Sequence, residues 1–139
     1  MYWAEDRIGS KRIQGAYAYK TLLENTGIIV LGTDFPVEQV NPMYTFYAAV
    51  ARKDLKQFPE GGFQKKDALT REEALKGMTI WAAYSNFEEA EKGSLEEGKL
   101  ADFTVLDRDI MTVAEDSIPN TKVLATFING KKEFSLEEE

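Results

Sequence analysis

The sequence contains neither cysteine nor histidine. Those absences exclude disulfides, thiolate nucleophiles, a Ser-His-Asp triad and any zinc site built on sulfur or imidazole from this chain alone. Whatever chemistry its 139 residues carry must use carboxylates, hydroxyls, Lys or Arg. Positive charge is also scarce: 17 Lys and Arg face 24 Asp and Glu, for a net charge of −7. No excess of cations is available to displace counterions from a phosphate backbone, so nucleic acid is not an expected partner. Lys65-Lys66 and Lys131-Lys132 are pairs rather than a basic stripe. Long hydrophobic runs are missing too. The longest, Phe46 to Ala51, is far below a membrane span, and the first seven residues lack the basic-then-apolar order of a signal peptide. The expected setting is therefore cytoplasmic, with no membrane partner.

What is present suits one soluble domain. A chain of this length can bury roughly 68% of its unfolded surface, enough for a core without covalent staples. Ser10 to Asn25 places Ile13, Ala16, Tyr17 and Leu23 at helical spacing, with Gly27 as a stop. Ile28-Ile29-Val30-Leu31 follows at once, a β-branched run without polar alternation. It predicts a strand covered on both faces in a parallel α/β layer. Gly32-Thr33-Asp34-Phe35-Pro36 then turns the chain. Asn41 and Pro42 open a second helix through about Arg52, and residues 58–66 read as a loop around Pro59, Gly61 and Gly62. Thr70-Arg71-Glu72-Glu73 has capping-box spacing and starts a third helix carrying Ala74, Leu75, Met78, Trp81, Ala82 and Tyr84.

After Gly93 the texture becomes β-like, with runs at Phe103 to Leu106, Val123 to Ile128 and Lys131 to Phe134. Asn129-Gly130 between the last two is a strong hairpin signal. The reading divides the chain into β/α elements at 1–92, a β module at 93–134 and an acidic tail at 135–139.

Three segments invite chemical readings. Gly93 to Leu100 has the glycine and lysine spacing of a phosphate loop, but Leu100 stands where a metal-binding hydroxyl belongs, and Glu96 and Glu97 repel phosphate. A turn leading into a strand is the better reading. Asp107-Arg108-Asp109 lacks the glycine and terminal glutamate of a calcium loop and reads as a solvated turn. Asp34 is different, because a carboxylate just past a buried parallel strand sits where α/β folds gather ligands. Its plainer reading, an Asx turn before Pro36, is favoured by composition and spacing alone. Arg7, Arg12 and Glu38 are candidate companions, read first as surface charges.

Taken together, Gly32 to Glu38, Leu69 to Leu75, Thr79 to Tyr84 and Gly93 to Phe103 resemble the C-terminal part of a metal-dependent amidohydrolase, in the branch of amidohydrolase family 3. Trp3 to Gly9 and Ala49 to Arg52 also fit, so the resemblance runs from about Tyr2 to Phe134. It implies an α/β fold: the C-terminal part of a (β/α)8 TIM barrel, plus the C-terminal strands of its small β-sandwich domain. Ile28 to Leu31 would be the last barrel strand. By the same implication Asp34 is the catalytic and metal-binding aspartate at that strand's end, which takes the proton of the attacking water.

The family's histidine ligands have no counterpart here, and a full barrel takes roughly 250 residues. The resemblance therefore implies a fragment. The intact parent would use a divalent metal, with zinc as the expected ion, on a small-molecule substrate containing a carbon-nitrogen bond. The fragment alone would bind no cofactor and be inactive, and its unpaired strand edge would drive self-association. The rival reading is a small acidic interaction module that keeps the hydrolase scaffold without its chemistry. A carboxylate-only magnesium or calcium site ranks last, because only Asp34 stands at the expected place.

Overall fold

A computed structural model describes residues 2–136 of the chain. Among the described residues five α-helices precede three β-strands: α1 (Tyr2–Arg12, kinked at Gly9), α2 (Tyr19–Thr26), α3 (Pro42–Ala51), α4 (Arg71–Met78), α5 (Ile80–Ser85), β1 (Phe103–Leu106), β2 (Val123–Ile128) and β3 (Lys131–Ser135). Short 3-10 turns lie at Ile13–Gly15, Lys65–Asp67 and Glu115–Asn120. The strands form one antiparallel sheet in the order β1-β2-β3, so the fold is mixed α/β.

Local signals place several elements as expected. The Asn41 side chain accepts from Met43 N–H at 3.0 Å and Pro42 occupies the first turn of α3. At Thr70 the capping box closes: Glu73 N–H donates to Thr70 Oγ1 at 3.2 Å, and Thr70 N–H donates to Glu73 Oε2 at 2.8 Å. The Asn129-Gly130 turn joins β2 to β3, and Phe103 stacks on Phe127 across β1 and β2 with ring centroids 4.5 Å apart.

Three expectations are corrected. The helix over Ser10 to Asn25 is broken. α1 ends at Arg12, Tyr17 takes a left-handed φ of 57°, and α2 begins at Tyr19. The chain leaves the helix at the 3-10 turn Ile13–Gly15 and the extended Ala16, and Tyr17 O accepts from Tyr19 N–H at 2.9 Å and from the Arg52 guanidinium at 3.0 Å, so that carbonyl serves a turn and a tertiary contact and not a helical bond. Gly27 does stop α2, in a left-handed cap. The Thr70 helix is likewise divided, because Thr79 (φ −127°, ψ −97°) leaves the helical region and separates α4 from α5.

The third correction concerns Ile28 to Leu31, which is no strand and is not covered on both faces: Ile29 is 8% exposed, Val30 46%. Its tie is Leu31 N–H to Gly77 O at 3.0 Å, which lays it against α4. Gly77 permits the approach, since a Cβ there would stand 2.9 Å from Leu31 Cγ. A strand needs a partner ladder, and among the described residues none is offered to this segment.

The core gathers Leu23, Ile29, Met43, Phe46, Tyr47, Val50, Leu69 and Ala74 together with Ile110 and Ile118 from the second half of the chain. Arg71 reinforces the joint by donating to Ile110 O at 2.6 Å and Val113 O at 2.5 Å. Of the acidic tail, Ser135 ends β3, and residues 137–139 lie outside the described residues.

Asp107 closes the end of β1 and β2. Its N–H donates to Lys122 O at 3.0 Å, and its carboxylate accepts from Lys122 N–H at 2.9 Å and from Arg108 at 2.7 and 3.0 Å. The Arg108 hydrogen bonds, then the Lys122 N–H, pull its pKa down to about 2. A carboxylate whose folded pKa lies below its unfolded value of about 3.9 stabilises the fold above that pH. That contribution disappears as the pH falls toward about 2. Asp107→Asn is expected to flatten this part of the acid-side loss of stability, read as urea midpoints across that interval.

Candidate functional site

Asp34 sits on the turn that follows Leu31. Its φ is 54°, a left-handed value that Asp tolerates better than most residues. Asp34 O accepts from Val37 N–H at 2.8 Å, and Thr33 Oγ1 accepts from Phe35 N–H at 3.3 Å. The Phe35-Pro36 peptide is cis. The residue is exposed, and its carboxylate takes no hydrogen bond or ion pair from the described residues. Apolar side chains around it are open as well: Phe35 is 64% exposed and Val37 75%.

The expected companions are engaged elsewhere. Arg7 lies over the Trp3 ring at 4.9 Å, Arg12 donates to Ile8 O at 2.7 Å, and Glu38 is exposed without a partner among the described residues.

Would this carboxylate hold a catalytic metal? Such sites use three protein ligands plus water. Among the described residues no three acidic side chains converge to form such a group, and the chain has no His or Cys. The donor set here does not by itself fit the ion, and no reaction step through a metal follows from these residues.

A second cluster escaped sequence reasoning. Arg52 ends α3 in a left-handed conformation (φ 58°) and is buried, as is Asp67, which is 3% exposed. Arg52 Nε donates to Phe63 O and Nη2 to Tyr17 O, both at 3.0 Å, while the guanidinium lies 5.8 Å from the Tyr19 ring centre and 5.6 Å from that of Phe63. Burial lowers the Arg52 pKa, and the nearby Asp67 charge opposes that shift. Thr21 Oγ1 donates to Asp67 Oδ1 at 3.4 Å, and Gln64 Nε2 donates to Ile13 O at 2.6 Å. Every one of these bonds reaches back to residues 13–21 or across to Phe63. The cluster is a polar clasp on the first helices rather than a reaction centre. Only an Arg directly after the apolar run Phe46 to Ala51 hints at it in the sequence.

A shallow groove of about 520 Å³ lies between α5 and the start of β1, lined by Met78, Thr79, Ala83, Asn86, Lys92 and Phe103 among others. Its polar groups are spent on one another: Asn86 donates to Glu88 at 2.9 Å, and Lys92 pairs with Glu88 at 2.8 Å. The Gly93 to Leu100 segment next to it is the expected turn. Lys99 is held by Glu96 at 2.9 Å and donates to Ser94 Oγ at 2.7 Å, which leaves no phosphate cradle. Asp109 likewise accepts from Met111 N–H and Thr112 Oγ1, as an ordinary capped turn does.

Comparison with known proteins adds what the geometry lacks. A model described as the amidohydrolase family matches residues 1–132. The putative amidohydrolase YtcJ of Bacillus subtilis is 32% identical over 129 residues, covering 93% of this chain and 24% of the relative. The Arabidopsis thaliana protein LONG AFTER FAR-RED 3 is 32% identical over 127 residues, 91% of this chain and 21% of the relative. An N-substituted formamide deformylase of Arthrobacter pascens is 31% identical over 114 residues, 82% and 20% of the two chains. The chain thus spans about a quarter or less of the length of these relatives. No solved structure matches it.

Proposed function

Because this chain belongs to the amidohydrolase family, we propose that it serves a hydrolase acting on a carbon-nitrogen bond of a small non-peptide amide or cyclic amide. The family match over residues 1–132 carries the reading. The names of two relatives, an amidohydrolase and a formamide deformylase, support that bond class.

In this proposal the 139 residues are the last β/α elements of a (β/α)8 barrel with strands of a small β-sandwich. The division is residues 1–92, 93–134 and a tail at 135–139. A barrel takes roughly 250 residues, so its other strands would be supplied by polypeptide outside this chain. The segment Ile28 to Leu31, which pairs with no strand among the described residues, and the exposed Phe35 and Val37 support this, since both present surface that a neighbouring strand or loop would cover.

Asp34 is the proposed catalytic carboxylate, accepting the proton that the attacking water gives up, and one contact of a divalent ion, zinc by preference. Its support is position and freedom: it directly follows the extended segment, is exposed, and has no partner among the described residues. The remaining ligands would come from outside this chain. The proposed setting is the cytoplasm. No helix among the described residues is long and apolar enough to cross a membrane, and the charge of −7 disfavours nucleic acid.

The chain by itself is expected to turn over neither N-substituted formamides nor cyclic amides in the presence of zinc or manganese. It is also expected to self-associate through its uncovered apolar surface. Steady-state assays and sedimentation velocity read the two outcomes. Amide hydrolysis by the 139-residue chain would overturn the division of the site between this chain and the rest of the protein.

A further inference from the structure

The chain has five asparagines, at positions 25, 41, 86, 120 and 129. Thr26, Phe87 and Thr121 follow three of them with bulky side chains, and Pro42 after Asn41 has no N–H at all. Only Asn129 precedes glycine, whose backbone nitrogen is open to a neighbouring side chain because no Cβ shields it. Asn129 and Gly130 are both exposed, at the tip of the β2–β3 hairpin, with φ of 49° and 75°. These are the left-handed values of a two-residue turn that suits the twist of paired strands.

We propose that Asn129-Gly130 is a self-modification site, at which the asparagine deamidates through a cyclic imide and thereby releases β3. The Gly130 nitrogen, having lost its proton to solvent base, attacks Asn129 Cγ. A nitrogen–carbon bond forms, the Cγ–Nδ2 bond breaks, and the side-chain nitrogen leaves as ammonia. Water then adds to either imide carbonyl and gives aspartate or isoaspartate.

The fold restrains this reaction. Gly130 N–H donates to Ala101 O at 3.0 Å, so the nucleophile is engaged, and Asn129 N–H donates to Asp102 Oδ1 at 2.6 Å, which fixes the turn from the other side. Reaction therefore waits on local opening of the hairpin, and β3 is an edge strand with every residue exposed, the kind of element that opens most readily.

The isoaspartate product cannot close the same turn. Isoaspartate adds a methylene to the main chain between strands whose register begins at Ile128 opposite Lys131. Aspartate, the other product, suits the same left-handed turn. Isoaspartate is therefore the product that weakens β2–β3 pairing and releases β3.

The test ages the 139-residue chain at mildly alkaline pH, folded and in urea, and follows each asparagine-containing peptide by mass spectrometry. Asn129 is expected to be the first of the five to convert, about tenfold faster in urea than in the folded chain. Asp102→Ala is expected to raise the folded-state rate and leave the urea rate unchanged. Conversion of Asn129 no faster than the other four in urea would overturn the site. Equal rates in the folded and unfolded chain, or a folded-state rate indifferent to Asp102→Ala, would overturn the restraint by the turn.

Discussion

On the proposed reading, Asp34→Asn in the whole protein is expected to lower amide turnover by about 10²–10⁴-fold, the range for losing a positioned proton acceptor. The substitution isolates chemistry from folding unusually well. Asn tolerates the left-handed φ of 54° as Asp does, and fits the same turn. The carboxylate has no partner among the described residues, so its removal breaks no bond in this part of the fold. Thermal unfolding of the 139-residue chain should therefore be the same for both sequences, within the ±0.5 kcal/mol or so of ordinary surface changes. Metal content of the whole protein gives an independent reading, because an amide is a poorer ligand than a carboxylate and, if Asp34 holds the proposed ion, the variant retains less of it. Undiminished turnover in the Asn variant would remove Asp34 from the reaction, while the family membership would stand on its own evidence.

The elements that the sequence predicts correctly are those decided within a few residues. Asn41-Pro42 and Thr70 to Glu73 satisfy orphan helix N–H groups from the next turn, and Asn129-Gly130 supplies the left-handed pair that a hairpin needs. The misread elements depend on distant partners. The broken first helix is held by Arg52, 35 residues away, which donates to Tyr17 O. The β-branched character of Ile28 to Leu31 expresses a preference for a sheet, but preference without a neighbouring ladder leaves the segment outside any sheet, tied to α4 through Leu31 N–H and Gly77 O. Arg52 and Asp67 were invisible for a related reason: a charged side chain reads as surface until the carbonyls and rings that bury it are known. The Asp34 site lies between these cases. That a turn follows Leu31 is legible, but it is no Asx turn: Asp34 O, not its carboxylate, accepts from Val37 N–H, and the chemistry proposed for that carboxylate depends on groups this chain does not contain.

Ile118→Ala is expected to destabilise the chain by about 2–5 kcal/mol, a large share of the 5–15 kcal/mol typical of a domain. Ile118 is fully buried in the 3-10 turn Glu115–Asn120 and belongs to the same core cluster as Phe46 and Tyr47 of α3. Polar links bind the same turn to the helices. Tyr47 O–H donates to Asp116 Oδ1 at 3.4 Å, Lys53 lies 3.7 Å from Asp116, and Lys65 pairs with Glu115 at 3.2 Å. Burial, with the Asp116 charge and hydrogen bond after it, pushes the Tyr47 pKa up to about 12, so the phenol stays a donor through the neutral range. A cavity at Ile118 is therefore felt on both sides of the 1–92 and 93–134 division. Trp81, packed against the core, and far-UV circular dichroism should report one urea transition whose midpoint falls by the same amount in the variant. If residues 93–134 folded as an independent module, the tryptophan signal would keep its midpoint while the β-sheet signal moved, and the shared core would have no energetic meaning.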